Sequence, residues 1–190
     1  MPVPFAEQAV ASPLWLTAIT ASKGIGPLVE EFAATPHYDL LVIGDGDLLP
    51  SLRSTYRHAG NIRFLGKVPQ DDLIDYYRRA RALVFPSLAP ETFGLSIVEA
   101  FACGTPAIVR DAGGCREAVE ATGAGLVYRT NDELKTALHR MAEDTSFWQE
   151  MRQRARDGYS RLYTRDRHVE SYLEIVQSRL AANQSRPKSL

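Results

Sequence analysis

Short, unbroken apolar runs of strand length recur along this chain with helical patterns between them. Runs such as "LLVIG" and "ALVFP" are apolar throughout rather than alternating. A strand reads that way when helices cover both faces of a parallel sheet. The periodicity predicts strands near Leu14–Ile19, Asp39–Ile43, Asn61–Leu65, Arg81–Phe85, Pro106–Arg110 and Gly125–Arg129. Helices are predicted between and after them, near Gly24–Ala34, Leu48–Ala59, Asp71–Ala80, Gly94–Cys103, Cys115–Ala121 and Asp132–Glu143. Asp71 and Asp72 suit a first helical turn, and Thr130 followed by Glu133 reads as a capping box. The expected fold is therefore α/β: a doubly wound, six-stranded, mainly parallel sheet. Helical patterns near Phe147–Leu162 and Arg165–Ala181 make a helical C-terminal tail, ending in the polar "NQSRPKSL".

At 190 residues the chain fits about one domain of roughly 150 residues. The expected division is a linker over 1–13, with three prolines and no period, a sheet domain over 14–163, and a terminal helix and tail over 164–190. Lys+Arg 22 against Asp+Glu 23 leaves a net charge of −1, so no basic field draws the chain to nucleic acid. Recognition of a ligand must be local. The two cysteines, Cys103 and Cys115, have no metal-ligand spacing, and no metal site is expected. No leader pattern and no run of about 18 apolar residues occurs, so a soluble, cytoplasmic protein is expected.

In a doubly wound sheet, ligands bind beyond the carboxyl ends of the strands, which directs attention to the loops that follow them. Gly44 and Gly46 flank Asp45 in "VIGDGD". Glycine there serves either a tight turn or a close ligand approach. "FPSLAPETFGLSIVEAFACGTP" is more informative: Glu91 precedes a helix that starts near Gly94, and Glu99 lies within it. Amides around Phe93, Gly94 and Leu95 should lack intrahelical partners and form an anion site suited to phosphate. Carboxylates on either side of that site are good acceptors for hydroxyl donors, which matches the order of groups in a nucleotide sugar. The bland alternative is a solvated loop glutamate and a helix-surface one. Lys23, after the first strand, can neutralise a phosphate or simply keep a surface soluble; Ser22 beside it reads as an N-cap.

"KG" at Lys23–Gly24, "GDG", "NIRFLGKV" and "PSLAPETFGLSIVEAFACGTP" occur in an order and spacing that resembles the C-terminal, donor-binding domain of family 4 retaining glycosyltransferases. The resemblance runs from about Leu14 to Arg129. It implies the Rossmann-like half of a GT-B fold and transfer of a hexose from a nucleoside diphosphate sugar to an acceptor hydroxyl with retention. The sugar nucleotide is then a substrate, and no cofactor is expected. Carried over by position, Glu91 contacts the donor hexose, Glu99 the ribose and Lys23 the diphosphate, making Lys23 and Glu91 the catalytic pair. Thr92, Phe93, Gly94 and Leu95 fall in the stretch that holds diphosphate and sugar. Leu65, Gly66 and Val68 fall in the segment whose backbone reads the nucleobase, and Gly44 and Asp45 in the turn lining the same cleft.

Two departures follow from the same resemblance. Many members carry an arginine five residues before the lysine, whereas this chain has Ala18, with Arg110 or Arg116 as substitutes for the lost charge. Members also have an N-terminal acceptor-binding domain, so that domain is an expected partner, in a longer chain or in trans, and the place of any peripheral membrane contact. The terminal helix would present Tyr172, Leu173 and Val176 to such a partner. Alternatives are a nucleotide-sugar-binding module that transfers nothing and another GT-B enzyme such as a nucleotide-sugar epimerase. His37, His58, His139 and His168 read as solvated, Cys103 as a buried structural thiol, and Arg152–Arg161 as a solvated face.

Overall fold

The computed structural model describes residues 14–18, 24–89 and 93–184, with side chains described over 24–89 and 93–180. The proline-bearing segment 1–13, Ser22, Lys23, Glu91 and Thr92 lie outside the described residues. The elements alternate as β1 (Leu14–Ala18), α1 (Ile25–Ala33), β2 (Asp39–Ile43), α2 (Leu49–Thr55), β3 (Ile62–Gly66), α3 (Gln70–Arg79) and β4 (Ala82–Phe85). They continue as α4 (Leu95–Ala102), β5 (Ala107–Arg110), α5 (Gly114–Thr122), β6 (Gly125–Tyr128), α6 (Asn131–Glu143), α7 (Thr145–Leu162) and α8 (Arg165–Gln184).

The strands lie side by side in the order β3-β2-β1-β4-β5-β6, and every neighbouring pair is parallel. The chain thus winds outward from β1 in one direction, then returns through α3 and winds from β4 in the other. Alternate strand residues feed two cores. Leu40, Val42, Val84 and Ile108 face α1, α2 and α6, while Leu41, Ile43, Leu83, Phe85 and Val109 face α3, α4 and α5. This two-sided burial is why the runs are apolar at every position.

Polar side chains fix the joints. Asn61, buried just before β3, donates from Nδ2 to the carbonyls of Phe32 and Tyr38, each at 2.8 Å, at the end of α1 and its exit loop. The Thr130–Glu133 capping box starts α6 as the sequence predicts. Asp144 then ends α6 and starts α7, accepting from the Phe147 amide at 2.9 Å, two residues earlier than expected. Arg81 donates to the Met141 and Ala142 carbonyls at 2.7 and 2.6 Å, while Trp148 stacks on its guanidinium and donates from its indole to the Arg81 carbonyl at 2.8 Å.

Arg154, Arg156 and Arg161 of α7 are exposed, as expected of a solvated face, while Arg152 is half-buried. Arg152 donates to Gly104 O at 3.0 Å and Arg161 to Ala121 O at 3.1 Å. Cations here meet the carbonyl ends of α4 and α5, where the helix dipoles are negative. Cys103 departs from expectation: it is half-buried at the C-cap of α4, and the buried thiol is Cys115. Among the described residues of α8, Tyr172 and Leu173 are exposed as expected, whereas Val176 is half-buried.

Candidate functional site

Winding reverses between β1 and β4, and in a doubly wound sheet the ligand crevice is expected at the carboxyl edge between two such strands. Two backbones approach closely there. A Cβ on Gly24, the N-cap of α1, would run into the Pro86 carbonyl that follows β4. No side chain larger than hydrogen fits between them.

Beside the crevice, β2 and β3 end together, with the Gly44 amide donating to Gly66 O at 2.8 Å. Val42 pairs with Phe64 but Ile43 with Gly66, leaving Leu65 as an extra residue in a bulge. A bulge re-aims the chain after it, here towards Lys67 and half-buried Val68. Arg53 of α2 braces the bulge from outside by donating to Phe64 O at 2.8 Å. Asp45 is exposed and accepts from the Gly46 amide at 2.9 Å.

On the other side, Gly94 is the N-cap of α4 with φ 67° and ψ 64°. It has no side chain to accept from the first-turn amides, so those of Leu95 and Ser96 are left without intrahelical partners. Phe93 is 46% exposed and sets its ring edge-on against Tyr163 with centroids 5.7 Å apart. Leu95 is 70% exposed at the helix start.

One turn further, Glu99 is half-buried and doubly held: Gln70 Nε2 donates to Oε1 at 2.9 Å, and the Tyr77 hydroxyl donates to Oε2 at 3.2 Å. Burial, and then the charge of Glu99, push the Tyr77 phenol up from its ordinary value, so it remains a donor. Burial likewise raises Cys103, with Arg78 opposing and Glu99 adding to the shift.

The proposed replacement cations are both engaged. Arg116 lies 2.7 Å from Glu120 and 3.1 Å from Asp111, and Arg129 reaches the same Asp111 at 2.7 Å. Hydrogen bonding from Arg116, and then Arg129, holds the Asp111 carboxyl below the usual carboxylate range. Arg110 sits over the Tyr128 ring, 5.8 Å from its centroid.

Gly44, Asp45, Leu65, Gly66, Val68, Phe93, Gly94 and Leu95 therefore belong to the carboxyl edge of the sheet or the helix starts beside it, and Glu99 lies one turn into α4. Lys23, Glu91 and Thr92 are outside the described residues. Gln70, Tyr77 and Arg53 were not singled out by sequence; an amide, a phenol and a guanidinium on helix surfaces carry no local signal of a tertiary partner. Among the described residues, no three His, Cys, Asp or Glu side chains group so as to hold a metal ion. No helix among them is long and apolar enough to cross a membrane.

A doubly wound parallel sheet with its glycine turns and a held carboxylate near the winding reversal defines a Rossmann-like α/β domain. Residues 14–158 match the family model described as glycosyl transferases group 1, and the chain belongs to that family. It is 33% identical over 135 residues to O-antigen chain mannosyltransferase B of Escherichia coli, covering 66% of this chain and 35% of that protein. It is 37% identical over 110 residues to D-inositol 3-phosphate glycosyltransferase 1 of Catenulispora acidiphila, covering 58% and 26%. Among solved structures, sucrose-phosphate synthase from Thermosynechococcus elongatus superposes with a TM-score of 0.77 at 26% identity, covering 90% of this chain and 46% of that one. Anabaena HepE in complex with UDP-glucose superposes with a TM-score of 0.75 at 24% identity, covering 88% and 50%, a likeness of fold alone. The fold is thus GT-B-like α/β. The chain spans between 18% and 46% of the length of the curated relatives it matches.

Proposed function

We propose that this chain is the donor-binding part of a retaining glycosyltransferase that moves a hexose from a nucleoside diphosphate sugar to an acceptor hydroxyl. The observation that carries this reading is the family match, which spans the sheet and every strand-end loop. Residues 14–163 form the donor domain in this reading, 1–13 a linker, and 164–190 a terminal helix and tail. The acceptor side comes from an N-terminal domain, in a longer chain or in trans, which would also make any peripheral membrane contact on the cytoplasmic side. Mannosyl transfer to O-antigen in one named relative, and UDP-glucose in one fold neighbour, support a hexosyl donor and a polysaccharide or glycolipid product.

The chemistry asked of these residues is positioning and charge stabilisation. The bond from the anomeric carbon to the diphosphate breaks, the acceptor oxygen bonds to that carbon on the same face, and the acceptor proton passes to an oxygen of the departing diphosphate. Lys23 and the unpaired amides beginning α4 meet the negative charge that develops on the diphosphate. Glu91 orients the hexose, with Thr92, Phe93 and Leu95 along its path. Glu99 accepts from the ribose, the bulged Leu65–Gly66 and Val68 backbone lies against the base, and Gly44–Asp45 lines the turn. No cofactor and no metal enter this scheme.

A second reading has one specific support. Ala18 stands at the place of a common phosphate-binding arginine, and Arg116 is already engaged by Asp111 and Glu120. A module that binds sugar nucleotides without transferring them fits that loss of charge. Calorimetric titration with UDP, GDP and ADP, free and sugar-linked and without added metal, tests both readings. Selective binding of one nucleotide supports the donor cleft; binding of none overturns it. Turnover on adding an acceptor domain then separates enzyme from module. Glu99→Ala should weaken the bound nucleotide by about ten- to a hundred-fold, the range for losing hydrogen bonds to a charged group.

A further inference from the structure

Glu99 is not free to swing. Both of its donors come from α3, whereas Glu99 itself is on α4. Gln70 opens α3 and Tyr77 follows seven residues later, so they project from one face two turns apart. Tyr77 is 4% exposed, and its backbone carbonyl accepts from the Thr105 hydroxyl at 2.5 Å, which ties this turn of α3 to the loop before β5. An ionised carboxylate offers about four acceptor positions, two on each oxygen. Gln70 takes one on Oε1 and Tyr77 takes one on Oε2. Among the described residues this leaves one acceptor position on each oxygen, a number that matches two hydroxyls on adjacent carbons.

We infer that Gln70 and Tyr77 are positioning residues that hold Glu99 as a two-pronged acceptor for a vicinal diol, and that they thereby set a preference for ribonucleotides over deoxyribonucleotides. This rests on the reading in which Glu99 meets the ribose. The division of labour follows from burial. Tyr77, fixed in the core, sets where one oxygen sits; Gln70, at the exposed end of α3, stops rotation of the other. A carboxylate with only one donor can rotate about its last bond and present one prong instead of two.

The test compares affinity for two probes by calorimetry: whichever of UDP, GDP or ADP the unaltered chain binds, and its 2′,3′-dideoxy counterpart. Tyr77→Phe removes one hydroxyl and keeps the buried ring. It should weaken the ribonucleotide about 3- to 10-fold and the dideoxy nucleotide less than about 2-fold. Gln70→Ala, at an exposed position where folding is not at stake, should show the same selective loss. Equal weakening of both probes by either variant means a structural role and overturns the inference. Unchanged ribonucleotide affinity in both variants, with Glu99→Ala still weakening it, overturns the inference and leaves the ribose reading standing. If Glu99→Ala changes nothing, or the chain binds none of the three diphosphates, the ribose reading falls first and the inference with it.

Discussion

Gly94 joins the candidate anion site to the core, and replacing it with alanine tests how tightly. Its φ of 67° and ψ of 64° lie in the left-handed region, where an L-residue costs about 1–2 kcal/mol. A Cβ there would also sit 2.9 Å from Ile97 Cδ1 and 3.2 Å from Cys115 Sγ. Both neighbours are buried, at 0% and 1% exposure, so neither can move into solvent. Overpacking of such a site costs about 1–3 kcal/mol. Gly94→Ala should therefore lose about 2–5 kcal/mol, a large part of the ~5–15 kcal/mol that holds a domain of this kind together. Urea unfolding followed by circular dichroism reads this as a lower midpoint with an unchanged slope. Ile97→Val removes the crowded Cδ1 and alone costs about 0.5–1.5 kcal/mol. Combined with Gly94→Ala it should recover part of the loss, making the double variant at least about 0.5 kcal/mol more stable than additivity allows. A Gly94→Ala cost below about 0.5 kcal/mol, or a strictly additive cycle, refutes this account of the turn.

Asn61→Ala strips the donors from two carbonyls at the end of α1 and should cost about 2–4 kcal/mol in thermal or urea unfolding, with a near-neutral result counting against the joint. Arg81→Lys should destabilise nearly as much as Arg81→Ala, because an ammonium cannot reproduce the fork that meets Met141 O and Ala142 O while stacking on Trp148; full retention of stability in the lysine variant would contradict it. Asp144 is held below the usual carboxylate range first by the Phe147 amide and then by the Ser146 hydroxyl, so its cap is fully present above the unfolded value of about 3.9 and is lost as pH falls through the lower folded value. The stability gap between the unaltered chain and Asp144→Ala should accordingly be constant near neutrality and narrow below about pH 4; a gap that persists undiminished into stronger acid would show that the charge is not the capping element.

The parallel α/β architecture was legible because two-sided burial leaves a local record. Every residue of β4 is buried, and its sequence "ALVF" says so without knowledge of any partner. Caps are equally local: Thr130 and Glu133 meet within one turn, so their pattern predicts their geometry. The arginines of α7 form the largely exposed face the sequence suggests, but the carbonyl partners of Arg152 and Arg161, at Gly104 and Ala121, have no signature in a side-chain sequence. Cys103 is less buried than its small-residue position suggests: it packs against the core from the C-cap of α4 but is only half-buried, and the fully buried thiol is Cys115, beside Gly94.

The candidate site divides along the same physical line. Its glycines stand out because strand-end turns and helix starts demand particular residues at particular places, and Glu99, within α4, stands out through the family resemblance. The groups that would make Glu99 selective do not, since Gln70 and Tyr77 come from a different helix and reach it only after β4 has been laid beside β1 and α4 has packed on α3. Recognition of a diol by a carboxylate needs more than the carboxylate: without a fixed rotation its two oxygens cannot both meet adjacent hydroxyls at once. The order of the strands is therefore part of the site's chemistry, because it brings the α3 donors to the α4 acceptor. A change that loosens α3 from α4, even far from any ligand atom, should then erode discrimination between ribose and deoxyribose before it erodes binding of the diphosphate, which depends on Lys23 and the start of α4 in the reading proposed here.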